Sequence, residues 1–328
     1  MKKLTIILSI SLLFFSCGQK QDKKKDQQKL TVEAPAFNSD SAFAFVKAQT
    51  DFGPRTPNSE AHDRCAAYLI GKLQIYCDTV YVQHFTATAY DGKKLKSQNI
   101  IGSFDPDKKD RILLASHWDS RPMADHDAIE ANRNKPIDGA DDGASGVGVL
   151  LELARQLQQD RPEIGVDIIF FDAEDYGTPS GVNLPGDWWC LGSQYWAQNQ
   201  HVPDYTARYG ILLDMVGAPD AKFYHEYFSS YFAQDIVSKV WGTAYQLGYG
   251  SCFINQQANP ITDDHYYVNK LAHIKMIDVI HQDNTSGTGF RSVWHTTYDN
   301  IDNIDAKMLG IVGTTLRAVI KNEKNESI

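Results

Sequence analysis

Five stretches of the chain concentrate the side chains that proton transfer and metal binding require. They are His117-Trp118-Asp119-Ser120, the run GADDGASG at 139–146, Asp172-Ala173-Glu174-Asp175, Asp214 within YGILLDMV, and Trp294-His295-Thr296. Imidazole and carboxylate together make a donor set suited to zinc, with one coordination position open to a substrate. Taken singly, each stretch has a plainer reading. An acidic residue behind a strand commonly caps a helix, a single histidine commonly hydrogen-bonds within the fold, and a glycine-rich run is commonly a flexible loop. Five such stretches, each at or near the end of an apolar segment, form a pattern that capping alone does not produce. Other chemistries lack their residues: no serine sits in a G-x-S-x-G elbow, and no glycine-rich phosphate loop is present. Cys65, Cys77, Cys190 and Cys252 form no C-x-x-C pair, so a zinc knuckle is not indicated. Whether they are bridged or free stays open at this level.

The apolar segments show how the reactive residues would be presented. Residues 111–116 (RILLAS), 166–171 (VDIIFF), 209–216 and 273–280 read as strands, as does the β-branched, aromatic stretch 79–90. Helical periodicity covers 42–50, capped by Ser39-Asp40-Ser41, and then 62–73, 144–158, 191–200, 228–247 and 304–320. Strands alternating with helices predict an α/β fold of one domain, with a mostly parallel twisted central sheet and helices on both faces. Ligands bind beyond the carboxyl ends of such strands, which puts His117, Asp172 to Asp175 and Asp214 along one edge.

Composition narrows the class. A chain of 328 residues, 42% hydrophobic and 22% charged, is neither disordered nor a multispan membrane protein. Residues 1–37 hold seven Lys and three acidic residues, a net +4, so the remainder carries −9 − 4 = −13. That acidity argues against nucleic-acid partners. The basic start, the apolar run 4–15 and then Ser16-Cys17 resemble a bacterial lipoprotein signal. The expected organisation is a signal peptide 1–17 ending at a lipidated Cys17, a solvated tether 18–37, and one catalytic domain 38–328. Such a protein would be exported and face the periplasm, touching the membrane only through its lipid, and soluble there if Cys17 is not lipidated. A monomer is expected.

Taken together, H-x-D, GADDGASG, FFDAED, LLDMVGA and W-H-T resemble the zinc aminopeptidase clan. Within it the chain is most similar to the glutaminyl cyclases of the animal type and their bacterial lipoprotein relatives, from about residue 43 to the C-terminus. Phe290-Arg291-Ser292-Val293-Trp294-His295 and Thr262-Asp263-Asp264-His265 are the motifs that favour the cyclases over the aminopeptidases. The resemblance implies one zinc per chain, on Asp142, Asp175 and His295. It implies Glu174 as the catalytic acid/base, with Asp214 and Asp263 as its hydrogen-bonded partners. Phe290 and Trp294 would line the substrate pocket, with a further tryptophan, Trp188 or Trp189. The implied reaction converts the N-terminal Gln of peptides or exported proteins to pyroglutamate and releases ammonia. Two departures stand out: Glu174-Asp175 replaces the Glu-Glu of the animal enzymes, and the stretch 176–190 is longer. One rival is a zinc exopeptidase with two metals on His117, Asp142, Asp175, Asp214 and His295. A surface-anchored binding protein with a dead site is the other, disfavoured because every ligand position and the base are filled.

Overall fold

The computed structural model describes Met1 and residues 35–324, so Cys17 and the signal-like segment lie outside the described residues. Two amphipathic helices, α1 (Ser39–Thr50) and α2 (Glu60–Tyr76), precede a hairpin of β1 (Thr79–Thr88) and β2 (Lys94–Phe104). Then come β3 (Arg111–His117), α3 (Ala144–Leu157), β4 (Gly165–Phe171), α4 (Leu191–Gln198) and β5 (Gly210–Asp214). The chain continues through β6 (Phe223–His225), α5 (Tyr227–Gln246), β7 (Phe253–Gln257), α6 (Asp264–Tyr267), β8 (Met276–Ile280) and α7 (Ala306–Lys321).

Six strands form one sheet in the order β1-β2-β4-β3-β5-β8, and β6 pairs with β7 apart from it. Strands β4, β3, β5 and β8 run parallel, while β2 is antiparallel to β4 and β1 to β2. Every residue of the four parallel strands is buried, which is why they read as unbroken apolar runs. Alternate residues serve opposite faces. Ile112 and Leu114 join the core that includes α1, α3 and α7, whereas Leu113 and Ala115 join Trp196 of α4 on the other side. The sheet is thus covered on both faces.

Two expectations needed correction. The first helix begins at Ser39 and is capped by Asn38, whose Oδ1 accepts the Ser41 N–H at 3.0 Å, so Ser39-Asp40-Ser41 lies inside the helix. Asparagine caps as well as serine or aspartate, and the asparagine simply comes first. Strand β2 was not anticipated, because it opens on Lys94, Ser97 and Gln98 rather than on an apolar run. Its cue was the Asp91-Gly92 turn behind β1. Cys65, Cys77, Cys190 and Cys252 are all free thiols. Among the described residues, no helix is long and apolar enough to cross a membrane.

Candidate active site

The parallel strands deliver their reactive residues to one edge. His117 ends β3, Asp172 to Asp175 follow β4, and Asp214 ends β5. The loop 139–143 adds Asp142 at the start of α3, and the segment after β8 adds His295. Gly143 has to be glycine here. Its φ is +89°, and a Cβ would lie 2.8 Å from His117 Cε1.

Asp142, Asp175 and His295 each place one donor atom within 4.8 Å of the others, and all three are buried. His295 Nε2 stands 3.5 Å from Asp142 Oδ2 and 3.3 Å from Asp175 Oδ1. Neither carboxylate oxygen of Asp175 has a hydrogen-bond partner, although both are buried. A buried, unsatisfied carboxylate beside a histidine and a second carboxylate is a donor set that a cation satisfies. His117, Asp142 and Asp214 form a second group around the same Asp142. There His117 Nε2 lies 3.0 Å from Asp142 Oδ1 and 3.3 Å from Asp214 Oδ1. Burial works against a charged His117, but hydrogen bonds to Asp119, Asp142 and Asp214 outweigh it and hold the imidazole well above its ordinary range. Burial also lifts the Asp214 carboxyl to about 8, against the opposing pull of His117.

Glu174 reaches the same cleft. Burial pushes its carboxyl well above the usual glutamate range; His117 opposes the shift, while Asp175, Asp263 and Asp264 add to it. Glu174, Cys190 and Asp263 form a third close group. The cleft holds about 430 Å³ and is walled by Trp188, Trp189, Tyr267, Phe290 and Trp294, with Asp142, Glu174, Asp175, Asp214, Asp263 and His295 along it. Both tryptophans of the uncertain pair therefore face it. They differ in support: Trp189 lies parallel to His295, with ring centroids 6.0 Å apart, under the Arg121 guanidinium at 4.6 Å. A Cβ at Gly177 would fall 2.0 Å from the Trp189 indole, so that glycine makes room for the ring. Trp294 stacks on His295 at 3.7 Å, and Phe290 leans on Trp294 at 4.5 Å.

The residues that hold this arrangement were not assigned roles from the sequence. Asp119 accepts the backbone N–H groups of Glu174 (3.1 Å) and Asp175 (3.2 Å), and Asp299 accepts those of Asp141 (2.8 Å) and Asp142 (3.1 Å). Arg121 grips Asp125 with two hydrogen bonds and the Asp175 carbonyl with a third at 3.0 Å. Asp125 in turn faces His295 Nδ1 at 3.5 Å. Such outer carboxylates fix the orientation of a ligand histidine. A signal for Asp119 existed in the H-x-D spacing; Asp299 and Arg121 had none.

The mostly parallel sheet, covered on both faces, gathers carboxylates and histidines at its carboxyl edge, where open α/β sheets bind their ligands. The chain belongs to peptidase family M28, which it matches over residues 99–320. It is similar to Tannerella forsythia glutaminyl cyclase, at 56% identity and a TM-score of 0.87, covering 88% of this chain and 100% of that one. A Zn-dependent exopeptidase from Parabacteroides distasonis is similar at 54% identity and a TM-score of 0.87, covering 89% and 100%. Drosophila melanogaster glutaminyl-peptide cyclotransferase is 26% identical over 77% of this chain and 72% of its own length.

Proposed function

We propose that the protein is a zinc-dependent glutaminyl-peptide cyclotransferase, with Asp142, Asp175 and His295 as the residues that hold a single ion. The observation that carries this reading is the aromatic cleft: Trp189 and Trp294 flank His295, Phe290 leans on Trp294, and Glu174 lines the same cleft as Asp175, whose carboxylate oxygens have no hydrogen-bond partner. Zinc, when bound, supplies a Lewis acid that offsets charge developing on the γ-carbonyl oxygen of the substrate glutamine. The chain supplies the rest. Its cleft folds the glutamine side chain back on its own α-amine, which makes ring closure intramolecular. Glu174 takes a proton from the attacking amine and returns it to the departing nitrogen, so the new N–C bond forms, the C–NH2 bond breaks, and ammonia leaves. Asp214 and Asp263 lie near Glu174 in one buried acidic set, and like charges this close cannot all ionise, so they share protons with it. Trp189, Trp294 and Phe290 exclude the water that a peptidase would need.

His117, Asp142 and Asp214 form a second group whose atoms could hold an ion, so metal stoichiometry tests the one-ion reading. The purified protein should contain one zinc per chain. From a peptide beginning with Gln it should release one ammonia and leave the chain length unchanged, and it should leave a peptide beginning with Leu intact. Two zincs, with free amino acids released and no ammonia, would assign it to the exopeptidases instead. The amino terminus supports export and anchoring through Cys17, with peptides or exported proteins as substrates.

A further inference from the structure

The thiol of Cys190 lies 3.2 Å from Glu174 Oε1, and Cys190 is fully buried. Among the described residues no other side chain donates a hydrogen bond to this carboxylate. The two residues are also tied through their backbones: the Cys190 N–H donates to the Glu174 carbonyl at 2.9 Å, and the Leu191 N–H to the Ala173 carbonyl at 3.1 Å. With Asp119 holding the Glu174 N–H, the residue is gripped at its N–H, its carbonyl and its side chain. Cys190 stands just before α4 with φ +55°, a left-handed backbone that glycine adopts at no cost. A glycine there would relieve the strain and lose the thiol.

We infer that Cys190 is a positioning residue, whose S–H holds one oxygen of Glu174 and so keeps the carboxylate aimed into the cleft. This rests on the reading of Glu174 as the proton shuttle. A thiol suits the task because it is a weak donor. It fixes the rotamer while drawing little charge from the carboxylate, leaving its basicity for the substrate amine. Burial keeps the sulfur protonated, so it stays a donor. Cys190 groups with Glu174 and Asp263 rather than with Asp142, Asp175 and His295, so its loss should leave metal binding intact.

Cys190→Val removes the donor, though it adds a methyl group and a β-branched side chain on left-handed backbone, whereas Cys190→Ser keeps a donor. On a Gln peptide, Cys190→Val should lower kcat by about 10-fold or more, with KM and zinc content unchanged, while Cys190→Ser stays within a few-fold of the parent. If the valine variant does not fold, Cys190→Ala carries the same comparison. A folded valine or alanine variant with the parent's kcat would overturn the inference, as would equal losses in the donor-less and serine variants. Failure of the cyclase reading looks different, because the parent enzyme itself would then release no ammonia.

Discussion

Four residues with side chains adopt left-handed backbone around the cleft: Ala173 (φ +54°), Cys190 (+55°), Met215 (+48°) and His295 (+53°). Each costs on the order of 1–2 kcal/mol and persists only where its surroundings dictate it. The surroundings here are backbone hydrogen bonds to the Asp119 carboxylate, a hydrogen bond from Arg121, and the stacked rings of Trp189 and Trp294. Ala173 turns the chain immediately after β4, and the two residues behind it then diverge. Asp175 is buried against His295, while Glu174 is bonded to Cys190. This divergence matches the proposed division into ligand and base, which can be tested directly. Asp175→Ala should lose zinc and activity together. Glu174→Gln keeps the shape, so it should retain zinc while kcat falls by about 100-fold to 10,000-fold. Metal analysis beside steady-state kinetics measures both, and equal zinc loss in the two variants would reject the division of roles.

At the scale of elements, the acidic wall of the cleft leans on the start of α5. Glu226 caps that helix, accepting N–H bonds from Phe228 (2.8 Å) and Ser229 (2.6 Å). It also accepts the Ile261 N–H at 3.0 Å and faces His265 Nε2 at 3.0 Å, so it joins α5 to the loop and short helix that carry Asp263. Burial alone would raise its pKa; His265 and the backbone donors outweigh that and hold it down to about 2. A carboxyl depressed in the folded state adds stability that is present above its ordinary pKa of 4.5 and lost as pH falls toward 2. Glu226→Gln should therefore destabilise the protein at neutral pH. Its stability deficit relative to the parent should shrink by about 3 kcal/mol over that acid window. Denaturant titrations at stepped pH report the gap, and a deficit that does not change with pH would show that the carboxylate's charge plays no part.

For the whole molecule, charge and address separate along the chain. The net −13 beyond residue 37 keeps the catalytic domain away from anionic lipid surfaces, and the net +4 before it does not. The proposed attachment is therefore at the amino terminus, through Cys17. Cys17→Ala should move the protein from the membrane fraction to the soluble exported fraction, followed by fractionation and immunoblotting. A variant that stays with membranes would show that the apolar run itself, not a lipid, does the anchoring. One acyl chain binds a membrane only marginally, so firm attachment would require more than one.

Strands β3, β4, β5 and β8 were legible because both of their faces are buried, which leaves continuous apolar runs followed at once by His117, Asp172 and Asp214. The types of the reactive residues were legible for the same reason, as polar groups standing where an apolar strand stops. Strand β2 was not, because its first half alternates exposed lysines with buried positions and its partner is fixed by the hairpin. Which tryptophan lies against His295 was also out of reach. Trp188 and Trp189 are adjacent and alike in sequence, and only the space left by Gly177 and the covering Arg121 distinguish them. Nor does spacing reveal that Cys190 meets Glu174, since that contact depends on two left-handed residues folding the chain back on itself. Local pattern records burial, and burial determined the sheet and the edge where chemistry is done. Contacts between distant segments depend on packing in three dimensions, so the tertiary structure alone decided which of the assembled groups hold, aim or satisfy one another.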